Sequence, residues 1–374
     1  MEKSSFSPEE MKQRFEKFGI IYLEEDIKEE MDDLIGLEDK KDLMSDFFLA
    51  LKKYQDISSS LAEAKITPNF TMLLYGPPGT GKTALTRAMC RKYSVPIGLV
   101  EADRLVSPLL GDTIKNIRGV FDLASEFVRN NGPFVLFFDE LDAVTGERAN
   151  VHEVGEIKRA VITFLQVLDK VNYEGIPLAI FGATNHQSQL DSAVWRRFTY
   201  HLKFDFPNFI VRKNIIESFL ERIEQATIGI DQRIVSNLED EYQFLLDLYN
   251  QKKKKLNRDL NDQEYINMFN KLYNQGKADI LYATQGYTGA DIMRGTRVAL
   301  LKAIQKSMLE YEDFKSALSL VGGTKKHVIH GKKMAEVANN KVKSNNSSSL
   351  SSISESEKSE EQEEDDLSDL DIDL

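Results

Sequence analysis

The pattern of apolar and polar positions predicts strands that alternate with helices over residues 33–207. Short apolar runs, which are typical of buried strands, are found at 71–75, 96–101, 134–138, 177–182 and 200–206. Between these runs, apolar residues recur every three or four positions, as they do along the buried face of a helix. The predicted helices cover 39–53, 114–129 and 153–171. A further helix is predicted after the run at 71–75 and ends at residue 93. This alternation predicts an α/β domain in which a parallel sheet is sandwiched by helices.

Beyond Pro207 the strand-like runs stop, and the pattern over 209–306 predicts helices only. Residues 1–30 are charged and prone to form helix, but they lack a clear apolar face, so they are expected to form an arm. The predicted organisation is therefore an N-terminal arm (1–32), an α/β domain (33–207), a small all-α domain (208–306), a basic linker (307–343) and a tail (344–374).

Composition narrows the class of protein. Apolar residues make up 41% of the 374 residues, which suffices for a sizeable core and excludes global disorder. One cysteine, Cys90, excludes a disulfide scaffold and a thiolate metal cluster. No apolar run approaches the ~18 residues of a membrane-spanning helix, and no apolar stretch follows Met1 as it would in a secretory signal. A cytoplasmic protein without membrane insertion is expected.

Acidic residues are concentrated at the C-terminal end. Residues 344–374 hold eleven Asp or Glu, ten Ser and one Lys, so they carry −10 of the net charge of −12. Such a segment is expected to be a disordered acidic tail. It follows a basic strip, 325–343, with six Lys and one Glu. Two interpretations stay open: a solubilising end that folds on nothing, and an autoinhibitory or partner-docking tail.

A phosphate-binding loop is predicted between the strand at 71–75 and the helix that follows it. The pattern GxxxxGK[ST] is matched by Gly76-Pro77-Pro78-Gly79-Thr80-Gly81-Lys82-Thr83. The glycines allow a tight turn whose backbone N–H groups surround an anion, and the helix adds its positive N-terminal end. Lys82 would contact the β- and γ-phosphates, and the Thr83 hydroxyl would bind Mg²⁺. An ordinary glycine-rich turn is the alternative interpretation.

Two carboxylates and an amide follow two other predicted strands. Asp139 and Glu140 come directly after the strand at 134–138, where Asp139 could support Mg²⁺ and Glu140 could activate a water. Asn185 ends the strand-like segment 182–185 and could bind that water or the γ-phosphate. The ends of parallel strands meet at one edge of a sheet, beside the phosphate loop. The alternatives are a solvated strand end for the two acids and a turn cap for Asn185.

In this order, these segments resemble the AAA family of ring ATPases, within the wider AAA+ class. The resemblance extends from residue 33 to about residue 306. It rests on Leu73-Leu74-Tyr75 together with the phosphate loop, and on four further segments: Phe137-Phe138-Asp139-Glu140-Leu141-Asp142, Gly182-Ala183-Thr184-Asn185, Leu190-Asp191-Ser192-Ala193-Val194-Trp195-Arg196-Arg197-Phe198 and Gly289-Ala290-Asp291-Ile292. The stretch 190–198 is similar to the second region of homology in katanin and spastin.

The resemblance implies roles for further residues. Arg196 and Arg197 would reach the γ-phosphate held by the neighbouring subunit. The alternative is an arginine pair on the surface after a helix. The helical domain would be a lid over the adenine, with Gly289 and Ala290 where many other AAA+ proteins carry an arginine sensor. The segment 33–36 would contact the base. The nucleotide-binding residues implied in this way are Ile35, Gly36, Pro78, Gly79, Thr80, Gly81, Lys82, Thr83, Ala84, Asp139, Gly289 and Ala290.

One segment departs from the family pattern. The central pore loop of the family usually carries an aromatic residue, whereas the matching stretch 107–113 offers Leu109 and Leu110 as the substrate pore loop. Aliphatic side chains can grip an extended peptide, but with less area and without ring stacking. The alternative is that both leucines pack in the core.

The expected function is Mg²⁺-dependent ATP hydrolysis by a homo-oligomer, a hexameric ring by resemblance, that remodels or unfolds a protein partner. ATP and Mg²⁺ are the expected cofactors. One alternative is a nucleotide-switched regulator or scaffold that acts with a separately encoded effector such as a protease. The other is a DNA-linked loader or initiator. A basic groove or a helix-turn-helix for that role is not evident, so a nucleic-acid partner is not expected.

Overall fold

A computed structural model of the chain describes residues 7–106, 111–145 and 154–323. Leu109 and Leu110, the basic strip and the acidic tail lie outside these residues. The interpretations given for those segments therefore stay predictions.

In the described part of the chain, a six-stranded sheet forms the centre of the α/β region. Its strands are β1 Gly19–Tyr22, β2 Thr71–Tyr75, β3 Ile97–Val100, β4 Phe134–Phe138, β5 Leu178–Thr184 and β6 Tyr200–Lys203. Their order across the sheet is β1-β3-β4-β5-β2-β6. Neighbouring strands are parallel except β1 and β3, which are antiparallel. The predicted parallel sheet is confirmed, with the difference that one edge strand runs the other way.

Helices cover this sheet and then continue as a group of their own. The helices of the α/β region are α1 Pro8–Phe15, α2 Glu38–Glu63, α3 Lys82–Lys92, α4 Ala102–Leu105, α5 Asp112–Asn131, α6 Leu141–Thr145, α7 Val154–Glu174 and α8 Ser192–Trp195. Those that follow are α9 Phe209–Gln225, α10 Gln232–Leu256, α11 Asp262–Asn274, α12 Ile280–Ala283, α13 Gly289–Lys306 and α14 Tyr311–Val321. The predicted fold class, a helix-covered α/β sheet followed by helices, is confirmed.

The alternation of side chains along β4 explains the two layers of helices. Leu136 and Phe138 join a core that includes residues of α1, α5 and α7, whereas Val135 and Phe137 join a second core with α2 and α3. Every residue of β4 is buried, as expected for a central strand with helices on both sides. Polar residues at the carboxyl end of this strand are therefore held on a rigid frame.

The segment predicted to be an arm is instead part of the sheet and its core. β1 pairs with β3 over the whole of its length, and Met11, Phe15, Phe18 and Ile21 are buried in the same core as α5 and α7. These four residues are spaced four, three and three positions apart, so they do provide an apolar face. The charged residues between them hide this face in the sequence.

Truncation of Phe15 tests whether the N-terminal segment supports the fold. The ring of Phe15 fills the space above Gly98 of β3, where an added Cβ would lie 2.8 Å from Cζ. We expect Phe15→Ala to lower the free energy of unfolding by about 3–5 kcal/mol, measured by urea denaturation. Gln13→Ala, at an exposed position of the same helix, is the matched control and should change stability little. Equal stability of the two variants would mean that the segment is an arm after all.

The helical region contains a short ladder besides its helices. β7 Gly229–Ile230 and β8 Met308–Leu309 pair in parallel, which corrects the expectation of helices only beyond Pro207. Helix α14 lies beyond the predicted end of this region at 306 and packs closely on α13. A Cβ added at Gly295 would lie 2.8 Å from Cδ2 of Leu318. The helical packing thus continues to the end of α14.

Candidate active site

The phosphate-binding loop connects the buried strand β2 to helix α3. Its glycines are required by geometry: Gly79 and Gly81 have φ of +74° and +98°, a region that favours glycine. A Cβ on Gly76 would lie 2.0 Å from the carbonyl oxygen of Phe204. Gly81 is the N-cap of α3 and brings no side chain to its first N–H groups. These N–H groups and the helix dipole form a binding site for an anion.

The Lys82 side chain lies folded into this loop and is only 7% exposed. Its Nζ donates hydrogen bonds to the carbonyl oxygens of Gly76 and Pro77, at 2.8 and 2.9 Å, and to Oδ1 of Asn185 at 2.8 Å. Burial lowers the pKa of Lys82 to about 8, although the nearby Asp139 and Asp142 favour the charged form. The predicted phosphate ligand and the predicted γ-phosphate sensor, Asn185, are thus direct neighbours.

The lowered pKa of Lys82 predicts a pH dependence of nucleotide binding. As pH rises through about 8, the free site loses the positive charge that attracts phosphate. We expect the Kd for ADP to be level up to about pH 7.5 and to be roughly tenfold weaker at about pH 9, since each pH unit above the pKa reduces the protonated fraction tenfold. Isothermal titration calorimetry at several pH values measures this.

Lys82→Arg is the matched control for that titration, because a guanidinium stays protonated over the same range. Its Kd for ADP, whatever its absolute value, should not rise between about pH 7.5 and 9. A Kd of the unmodified protein that stays constant over this range would contradict the prediction.

Thr83 and Asp139 supply two adjacent oxygen ligands below the phosphate loop. Thr83 Oγ1 donates to Oδ2 of Asp139 at 3.1 Å, since α3 begins and β4 ends at the same edge of the sheet. Mg²⁺ prefers oxygen ligands and is commonly held by one or two protein groups together with water and substrate phosphates. This hydroxyl–carboxylate pair therefore fits Mg²⁺ that arrives with a nucleotide.

Glu140 is exposed and lines the same cleft as the phosphate loop. Its backbone is in the left-handed region, with φ of +51°, and its N–H donates to Oδ1 of Asp139 at 3.0 Å. A left-handed conformation costs a residue other than glycine about 1–2 kcal/mol, and such strain is concentrated at functional sites. The turn directs the chain away from the sheet immediately after the predicted metal ligand.

A second pair of polar residues supports Asn185, and sequence reasoning assigned it no role. Thr184, the last residue of β5, donates from Oγ1 to Oδ1 of Asp142 at 2.6 Å. The same hydroxyl oxygen accepts a hydrogen bond from the backbone N–H of His186 at 3.0 Å. Both contacts flank Asn185 in the chain. These two contacts fix the turn that presents the amide of Asn185 to Lys82. In the sequence, the only indication of them is that Asp142 and Thr184 belong to the two motif segments 139–142 and 182–185.

The start of helix α13 closes on the phosphate loop. The N–H of Ala290 donates to the carbonyl oxygen of Gly79 at 3.2 Å. A Cβ on Gly79 would lie 2.8 Å from Oγ1 of Thr288 and 2.9 Å from Cβ of Ala290, so a larger residue cannot occupy this position. Thr288 and Asp291 cap the helix reciprocally, which holds its N-terminus firmly. Gly289 and Ala290 lie beside the loop, as the resemblance implies.

A cleft of about 490 Å³ lies between the phosphate loop, the segment before α2, and helices α9 and α13. It brings together the following predicted residues: Ile35, Pro78, Gly79, Thr80, Gly81, Lys82, Thr83, Ala84, Asp139, Glu140, Asn185, Gly289 and Ala290. Gly36 lines an adjoining cavity. Three apolar lining residues, Leu37, Ile215 and Met293, were missed. Met293 lies one helical turn after Ala290, so its place on the same face of the helix could have been predicted from the sequence. No pattern in the sequence indicates that Ile215 lines the cleft.

Arg196 and Arg197 do not line this cleft, and both side chains are exposed. Arg197 donates from Nε to Oδ1 of Asp169 at 2.9 Å, and this hydrogen bond raises the pKa of Arg197 further. The side chain of Arg196 makes no hydrogen bond or ion pair with the described part of the chain. The two arginines therefore have different surroundings, and neither lines the cleft of its own chain.

Known proteins share the central part of this sequence. Residues 72–206 match the family described as ATPase family associated with various cellular activities (AAA). A probable spastin homologue of Brugia malayi is 34% identical over 224 residues, which are 58% of this chain and 47% of that protein. A putative 26S proteasome regulatory subunit homologue of Methanothermobacter thermautotrophicus is 30% identical over 211 residues, or 54% of each protein. The chain thus spans about half the length of these curated relatives.

A solved structure has the same fold. The AAA domain of FIGL-1, in complex with ADP, matches 85% of this chain and 92% of that domain with a TM-score of 0.56 and 23% identity. Among the helices that the structure describes, none combines the length and the apolar character needed to cross a bilayer.

Proposed function

Because this chain carries a domain of the AAA family of ATPases, we propose that it hydrolyses ATP with Mg²⁺, as a hexameric ring that remodels or unfolds a protein partner.

Hydrolysis is carried by one observation: the phosphate loop, the Thr83–Asp139 pair, Glu140 and Asn185 converge on a single cleft. The loop N–H groups and Lys82 hold the phosphates. Mg²⁺ bound with ATP would neutralise charge on the β- and γ-phosphates. Glu140 takes the proton from the attacking water, and Asn185 orients that water or the γ-phosphate. The apolar side chains of Ile35, Ile215 and Met293 suit the adenine face.

Assembly of a ring is supported by the surroundings of Arg196. An exposed guanidinium that has no polar partner among the described residues and lies outside its own cleft is available to a second copy of the chain. An arginine supplied in this way stabilises the charge that develops during phosphoryl transfer and contributes about 10³–10⁵ in rate in related nucleotidases.

The native mass of the Glu140→Gln variant, measured by light scattering with and without Mg·ATP, tests the ring. Blocked hydrolysis should hold the ATP-bound assembly, so a shift to about six subunits on addition of ATP is expected. Lys82→Ala, which removes a phosphate ligand, should not shift and serves as the control. A monomer at high protein and ATP concentrations would contradict the homo-oligomeric ring.

The class of partner is tested separately by stimulation of the ATPase rate. An unfolded protein such as reduced, carboxymethylated casein is expected to raise the rate, whereas duplex DNA is not. Stimulation by DNA alone would replace the protein-remodelling proposal by the DNA-linked alternative.

A further inference from the structure

The chain has one tryptophan, and it lies in an aromatic cluster directly before the two arginines. The indole of Trp195 stacks on the imidazole of His201, with ring centroids 4.3 Å apart and planes inclined by 23°. Tyr75 meets the indole edge to face at 5.1 Å. The ring of His201 also places Nε2 3.0 Å from the carbonyl oxygen of Trp195. Since a carbonyl oxygen only accepts, His201 donates this hydrogen bond.

The residues after Trp195 are held at two further points. Thr71, at the start of β2, donates from Oγ1 to the carbonyl oxygen of Arg197 at 3.2 Å and accepts from the N–H of Thr199 at 2.9 Å. The guanidinium of Arg197 is engaged by Asp169. The backbone on both sides of Arg196 is therefore fixed, while the Arg196 side chain itself extends into solvent.

We propose that Trp195, His201 and Tyr75 form a positioning cluster that orients Arg196 toward the active site of the neighbouring chain. This inference rests on the proposed function, in which Arg196 acts in trans. Neither Trp195 nor His201 lines the cleft of its own chain, so their effect is on the arginine that the chain donates. Orientation matters because displacement of a reacting group by about 1 Å can cost roughly 100-fold in rate.

The rings suit this task physically. Stacked and edge-to-face aromatic pairs contribute about 0.5–1.5 kcal/mol beyond their buried area, and the His201 hydrogen bond links α8 to the edge strand β6. Helix α8 has only one turn, so its orientation depends on contacts with the rest of the fold. Loss of the cluster would remove the contacts on the Trp195 side of this helix and widen the range of directions that Arg196 samples.

A first experiment compares steady-state ATP kinetics of the unmodified protein, Trp195→Ala, Trp195→Phe, His201→Ala and Arg196→Ala. We expect Trp195→Ala and His201→Ala to lower kcat by about 10- to 100-fold, with KM and the Kd for ADP changed less than about twofold. Trp195→Phe should keep most of the rate, because the ring remains. Ring formation in the Glu140→Gln background with Mg·ATP serves as the check that each variant folds and assembles.

A second experiment assigns the effect to the chain that donates the arginine. Arg196→Ala chains keep an intact cleft, and Glu140→Gln chains keep the arginine. Mixing the two should therefore restore hydrolysis wherever a Glu140→Gln chain donates its arginine to the cleft of an Arg196→Ala chain. Adding Trp195→Ala to the Glu140→Gln chain should abolish this restoration. Adding Trp195→Ala to the Arg196→Ala chain should leave it intact. A general structural defect would not distinguish the two chains in this way.

The outcomes separate the inference from the function on which it rests. A rate of Arg196→Ala equal to that of the unmodified protein would overturn the trans role of Arg196 and with it this inference. A low rate of Arg196→Ala together with an unchanged rate of Trp195→Ala and His201→Ala would overturn the positioning cluster alone. Loss of restoration when Trp195→Ala is added to the Arg196→Ala chain would also overturn the positioning cluster, since the cluster would then act on the cleft of its own chain.

Discussion

Replacement of Glu140 by Gln is expected to lower the ATP turnover number by at least about 100-fold, the lower range for the loss of a general base. Gln has the same shape but cannot take a proton. The neighbouring contacts, from the backbone N–H of residue 140 to Asp139 and from Thr83 to Asp139, do not involve the lost carboxylate. The Kd for ATP should therefore stay within about threefold of that of the unmodified protein.

This prediction is checked by phosphate release at saturating ATP and by calorimetric titration with ATP and Mg²⁺. Glu221→Gln, at an exposed position on α9, is a matched control that removes the same charge away from the cleft and should leave both quantities unchanged. A Glu140→Gln variant that turns over normally would remove the assigned base. The chain would then be better described as a nucleotide-bound scaffold, the alternative interpretation of the sequence.

Replacement of Arg196 by Ala is expected to have the largest effect on rate, a loss of about 10³-fold, with unchanged ATP affinity. Arg196 lies outside its own cleft, and in the proposed ring its guanidinium would stabilise the charge that develops on the γ-phosphate held by another chain. The turnover number should be measured at protein concentrations above and below the assembly midpoint. In the unmodified protein it should rise with assembly, whereas in Arg196→Ala it should stay low at all concentrations.

Arg196→Lys provides the conservative comparison for this experiment. Lysine keeps the charge but lacks the planar fork of donors, so an intermediate rate is expected. If Arg196→Ala weakened ATP binding and left the rate at saturation intact, the side chain would contribute to ATP binding in its own cleft. That outcome would contradict the prediction.

The candidate residues of the cleft could be predicted from sequence because they lie on short contiguous segments. The loop 76–83 carries the candidate phosphate ligand, the candidate metal ligand and its glycines within eight positions, and strand ends bring the carboxylates and Asn185 to the same edge by a general property of parallel sheets. The N-terminal segment could not be predicted in this way. Its apolar residues become a core only when β3 and α5, about 80 to 110 positions later in the chain, lie beneath them.

The sequence by itself determined the class of fold, the phosphate loop and the candidate ligands, since periodicity and motif spacing are local properties of the chain. The tertiary structure alone decided which distant side chains meet. It joined Thr184 to Asp142, added Leu37, Ile215 and Met293 to the walls of the cleft, and stacked Trp195 on His201 beneath the exposed Arg196. These contacts depend on how strands and helices far apart in sequence pack against one another, and no local pattern of residues specifies that packing.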